Sequence, residues 1–267
     1  MTKLSISQAW DETSAFIARE TRLLVPIALA FLFLPPLILT LVMPPMKPED
    51  VGQSGITLVV LFVQLLISGA GQIAIARLAL GHRERLGETI GHAFRRTLPY
   101  IASILIIAVP ISFLLLTAST ISRAMVAQGN RPVGIIVALI TIVLLVVLVV
   151  AIVRCVLNIA VAAVEPGGPV AILKRGFLLT KGQVLRLLGT VVLILIGGAT
   201  AVYAVTVVVG TVVTLLLGKP EPLTVAALLI ALAGTAVQAA LITAFTVVCA
   251  RLYAQRAAVS GAPSSAI

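Results

Sequence analysis

Residues 164–186 read VEPGGPVAILKRGFLLTKGQVLR. Lys174, Arg175, Lys181 and Arg186 fall within this one stretch, in a 267-residue chain that has 19 Lys and Arg and is 60% hydrophobic. The Glu-Pro-Gly-Gly-Pro at 165–169 ends whatever helix precedes it. Pro169 suits the first turn of a new helix, where its missing N–H is not needed. Gly182 suits that helix's stop. Val170, Leu173 and Phe177 then form an inward stripe, and the cations face headgroups and water. This pattern describes an elbow, where the chain turns along a membrane surface before diving again.

The sequence on both sides supports a membrane setting. Mean hydropathy is +1.20 and 10% of residues are charged, against about 25% in soluble domains. Runs of about 18 or more apolar residues are bilayer spans. Six can be drawn, at 23–43, 56–80, 98–121, 133–163, 184–217 and 223–253. Turn residues separate them at Pro44–Asp50, Gly129–Pro132 and Gly218–Pro222. The run at 135–153 shows no apolar/polar alternation, so the spans are helices and not barrel strands. The reading is one polytopic domain over 1–267. Acidic and basic residues through position 22 argue against a cleavable signal peptide.

Placing both termini in the cytosol puts fifteen of the 19 cations at cytosolic ends of the spans. That asymmetry follows the positive-inside rule. The net charge of +10 thus lies beside apolar spans, which points to anionic lipid headgroups as partners and away from nucleic acid. An unidentified protein partner stays open. Cys155 and Cys249 have no CxxC or Cys/His companion and read as small packing residues.

Weak internal repetition runs along the chain. QIAIARLALG (72–81) meets NIAVAAVEPG (158–167), and HAFRRT (92–97) meets RGFLLT (175–180). ARLAL (76–80) meets ARLYA (250–254). The expected fold is an all-α membrane protein with six transmembrane helices in three helix–span–span repeats, roughly 4–80, 84–163 and 169–256. Each repeat begins with a short cytosolic-side amphipathic helix. In the second, Leu86, Ile90, Ala93, Phe94 and Thr97 form the apolar stripe, while Arg95 and Arg96 lie on the cationic face.

The opening stretch also resembles the membrane domain associated with bacterial glycerophosphoryl diester phosphodiesterases. The residues that carry the resemblance are Glu165, Gly167 or Gly168, Pro169, Lys174, Arg175, Leu179, Thr180, Gly182 and Arg186, with Arg154 in the preceding span. Gly176 stands where that family usually has Ser, and Leu185 where it has an aromatic. The resemblance implies a six-span layout in the bacterial cytoplasmic (inner) membrane. It implies no chemistry, because in that family the hydrolase is a separate soluble domain.

Enzymatic function is not expected. The chain has no HExxH, EF-hand or Walker sequence, and its two histidines, His82 and His92, both fall in the basic elbow. No cofactor or metal site is read. The expected function is non-enzymatic: binding anionic lipid at the elbows through Lys174, Arg175, Lys181, Arg186, Arg95 and Arg96, and organising or handling membrane lipid. The alternative is a permease for a lipid-related or amphipathic solute. It would use a midplane polar cavity near Arg154, Asn158, Gln72 and Gln238. An arginine within a span is costly, so Arg154 either lines such a cavity or snorkels to the headgroups. Gly197-Gly198 and the 31 uncharged residues at 187–217 suggest a fifth span that is tilted, bent or broken.

Overall fold

The computed structural model describes residues 6–42, 55–82, 85–218, 220 and 224–259, and these form an all-helical bundle. Its elements are α1 (Ile6–Ala28), a π turn (Leu29–Phe33), α2 (Leu34–Val42), α3 (Gly55–Ala79), α4 (Leu86–Ala127), α5 (Arg131–Cys155), α6 (Asn158–Val164), α7 (Pro169–Thr180), α8 (Val184–Leu217) and α9 (Val225–Val259). Six stretches among the described residues are long and apolar enough to cross a bilayer: Gln8–Leu41, Gly55–Ala79, Gly87–Ala127, Pro132–Val164, Val184–Leu217 and Val225–Ala257. The turns expected at 44–50 and 219–222 fall largely outside the described residues.

The first span is built from pieces because its sequence demands it. The backbone leaves helical geometry at Glu20 (φ −103°, ψ 18°), which separates the N-terminal elbow from the span. Pro35 and Pro36 then lack the N–H groups that would bond the carbonyls of Phe31 and Leu32. Both carbonyls lie in the π turn, where the helix widens and Leu34 N–H reaches back to Leu29 O. Gly71 of α3 packs on this turn, and a side-chain carbon there would collide with Cβ of Phe31.

The core sits at one end of the bundle. Its most buried stretches are Ile73–Ala76 of α3, Ile159–Ala163 of α6 and Val247–Ala250 of α9, and α3, α6 and α9 pack pairwise. These stretches overlap or adjoin the segments matched in the sequence. Arg77 Nη1 donates to Ala163 O at 3.1 Å, and these two positions are the ones the 86-residue offset superposes. Gly81 closes α3 in a left-handed conformation (φ 90°). There His82 N–H bonds Arg77 O and Gly81 N–H bonds Leu78 O, the paired C-cap that favours glycine.

The three segments expected as elbows share a hydrogen bond that the alignment of HAFRRT with RGFLLT could not show. Each carries a small residue, an aromatic, two variable residues and a threonine: Ala9-Trp10-x-x-Thr13, Ala93-Phe94-x-x-Thr97 and Gly176-Phe177-x-x-Thr180. All three small residues and all three threonines are buried. Each threonine hydroxyl donates to the carbonyl of the small residue four before it, at 2.6, 2.8 and 3.0 Å. A small residue lets the helix approach its neighbour closely, and the threonine consumes its own donor on the way.

Several expectations change in detail. The stretch at 84–98 is not a separate helix, because from Leu86 onward it runs unbroken into α4, with Pro99 and Pro110 inside. In the third elbow, α7 is separate from α8, with Gly182 at φ 81° between them. The buried side of α7 is Ile172, Gly176, Leu179 and Thr180, while Val170 is exposed. In the second elbow the buried stripe is Thr89, Ala93 and Thr97, and Phe94 faces outward. α8 is continuous through Gly197-Gly198, and Gly198 packs on Leu241 of α9, whose methyl carbon would lie 3.3 Å from a Cβ placed there. The fourth span is the broken one, at Val156-Leu157 between α5 and α6. α5 leans mainly on α4, and none of residues 135–150 is buried.

Candidate functional site

The candidate site is the basic end of the bundle, built around the loop at 165–168 between α6 and α7. Helix ends leave carbonyls without partners, and this loop faces several arginines. Arg96 Nη1 donates to Gly167 O at 2.9 Å, next to the Arg77–Ala163 bond. Glu165 Oε1 accepts from Arg175 Nε at 3.0 Å and from the Tyr253 hydroxyl at 2.7 Å. One carboxylate oxygen thus ties α7 and α9 to the loop. On the far side of α7, Arg256 Nη2 bonds Lys181 O at 3.2 Å. Hydrogen bonds to charged groups are worth about 1.5–3 kcal/mol each, less where water reaches them. These bonds lock the elbow in place.

The six cations expected to meet lipid therefore divide into two groups. Arg96 and Arg175 are partly buried and spend their guanidinium groups on Gly167 and Glu165. Arg95, Lys174, Lys181 and Arg186 are exposed. None of these four side chains has a hydrogen-bond or ion-pair partner among the described residues.

The residues expected to share a cavity are dispersed. Arg154 stacks over Phe177 of α7, its guanidinium carbon 5.2 Å from the ring centre. Its Nε is buried with no hydrogen-bond partner among the described residues. Asn158 is fully buried just after the break in the fourth span. Beyond a weak interaction with the Cys155 thiol, its amide atoms have no hydrogen-bond partner among the described residues. It faces Gly176, where any side-chain carbon would collide with Asn158 Oδ1. Gln238 is exposed on α9. Gln72 alone of the four lines a cleft, of about 260 Å³, between α3, α4, α5, α8 and α9. Tyr100 and Thr246 are its other main polar lining groups.

Among the described residues no three His, Cys, Asp or Glu side chains gather as metal ligands would. The structure also adds Tyr253, Arg77 and Arg256 to the basic end, none of which was singled out as a site residue in the sequence. A tyrosine 88 residues from its carboxylate leaves no local signal. Comparison with protein-family models, curated proteins and solved structures gave no match.

Proposed function

We propose that this six-helix membrane protein is non-catalytic, that it holds anionic lipid headgroups at its basic end, and that it organises or handles lipid there. The supporting observation is the division among the cations. Arg96 and Arg175 hold the fold, while Arg95, Lys174, Lys181 and Arg186 extend outward unpaired. A cation near an anionic surface contributes about 1 kcal/mol. Four together amount to about 4 kcal/mol, roughly a thousandfold in affinity. The reading places this end at the cytosolic leaflet of a bacterial cytoplasmic membrane with both termini inside, in keeping with the charge asymmetry and the resemblance noted above. It also takes the three small–aromatic–x–x–Thr elbows as copies of one repeated unit.

The permease alternative has less support, because Arg154, Asn158 and Gln238 do not line the cleft at Gln72. Lipid mass spectrometry on gently solubilised protein tests the main reading. Changing Arg95, Lys174, Lys181 and Arg186 together to Gln should strip most co-purifying anionic lipid and leave the melting temperature near wild type. Unchanged anionic lipid content would refute it.

A further inference from the structure

The cleft at Gln72 has an ordered polarity that fits one kind of occupant. Gln72 lies five residues before Arg77 on α3, and Thr246 lies five before Arg251 on α9. At 1.5 Å per residue both sit about 7 Å inward from the basic end. Tyr100 lies four residues beyond Arg96 on α4, about 6 Å inward. The cleft's polar groups therefore share one depth. Beyond them the walls are Ile104, Ile107 and Ala108 of α4, Leu148 and Ile152 of α5, and Leu195 of α8. On α4 these wall residues reach a further 6–12 Å or so into the bundle.

The hydrogen-bonding capacity at that depth is largely unspent. Thr246 uses its hydroxyl on Ile242 O at 2.8 Å. The Gln72 amide and the Tyr100 hydroxyl have no partner among the described residues, and both residues line the cleft. Donors at one level, hydrocarbon beneath them and cations above them match the layering of a membrane lipid. The headgroup comes first, then the ester carbonyls about one helical turn deeper, then the chain.

We infer that this cleft holds one acyl chain of an ester-linked lipid, with the ester carbonyl accepting hydrogen bonds from the Tyr100 hydroxyl and the Gln72 amide. The chain runs down between α4, α5 and α8. Cys155, Val156 and Ile159, at the break in the fourth span, form part of the same wall. This site requires the helices to lie in a bilayer, but it does not depend on the exposed elbow cations.

The test uses the full chain in mild detergent and native mass spectrometry. The probes are diester phosphatidylglycerol, its diether analogue, which lacks the carbonyls, and free oleate. Wild type should retain the diester over the diether by roughly three- to tenfold, the range one net hydrogen bond supplies. Tyr100→Phe and Gln72→Leu should each shrink that ratio, and the double variant should bring it close to one. Ala151→Phe, which fills the cleft wall, should lower retention of both lipids. Tyr100→Phe removes a single oxygen, so its ratio decides the matter if Ala151→Phe does not fold. Equal retention of diester and diether by wild type overturns the inference, as does a ratio untouched by Tyr100→Phe. So does oleate displacing the diester at equal concentration. Changing Arg95, Lys174, Lys181 and Arg186 to Gln should leave the diester-to-diether ratio intact, so failure of the elbow reading and failure of this one are separately visible.

Discussion

Adding one methyl group at position 176 should unsettle the basic end, and the structure says which residue would relieve it. Gly176 lies on the buried side of α7. A Cβ there would occupy space held by Asn158 Oδ1, with the Arg154 carbonyl 3.5 Å away on the same side. Asn158 is fully buried, so its amide cannot swing into water. Gly176→Ala must force an off-rotamer amide, at about 0.5–1.5 kcal/mol, or lift α7 away from α6. Overpacking of this kind costs about 1–3 kcal/mol, or roughly 3–9 °C in apparent melting temperature for a domain of this size. Asn158→Ala removes the colliding atoms. The double variant should therefore be more stable than the sum of the single losses predicts, by about 1 kcal/mol or more. Thermal melting by fluorescence-detected size exclusion in one detergent reads all four proteins. The reasoning fails if Gly176→Ala melts with wild type, or if the two losses simply add.

Glu165 gives a second prediction. Glu165→Ala should lower stability by about 2 kcal/mol and Tyr253→Phe by about 1 kcal/mol, because the carboxylate carries two bonds and the phenol one. The double variant should be no worse than Glu165→Ala alone, since both changes remove the same bond, and strict additivity in thermal melts would contradict this. Topology gives the third. Both natural cysteines are buried, so single exposed cysteines report sidedness. Gln128→Cys should react with an impermeant maleimide on intact cells and Lys174→Cys only after lysis. The reverse pattern would invert the orientation.

The six spans were legible because lipid imposes a length and a hydropathy on any helix that crosses it, and because proline and glycine mark the exits. The elbow at 165–182 was legible for the same reason, since Pro169 and Gly182 punctuate both its ends. The elbow at 84–98 was misjudged as a separate helix. No glycine stands near its junction with the span, and Pro99 is tolerated within the continuous helix α4. The break at Val156-Leu157 has neither proline nor glycine to announce it. Asn158, the first residue after it, packs against Gly176 of α7. Of the four cavity residues, only Gln72 reaches the cleft. A sequence shows that a residue is polar but not which way the helix turns it. The small–aromatic–x–x–Thr pattern was partly legible, since Ala9, Trp10 and Thr13 stand in one N-terminal stripe with Ile6 and Ile17, and Phe94 and Thr97 align with Phe177 and Thr180. Its shared threonine-to-carbonyl bond emerged only from the coordinates.

From 135 to 150, α5 has no buried residue and rests mainly on α4. A helix so placed is answerable to the bilayer more than to its own protein. Its exposed valines, leucines and isoleucines can be permuted with little loss, because no partner side chain registers which of them stands where, whereas Leu148 is held to its place in the cleft wall. Drift in this segment between related chains should consequently outpace drift in α3, whose glycines and alanines are held by neighbours on several sides. It is also the natural place to install a lipid-facing photoreactive probe without disturbing the rest.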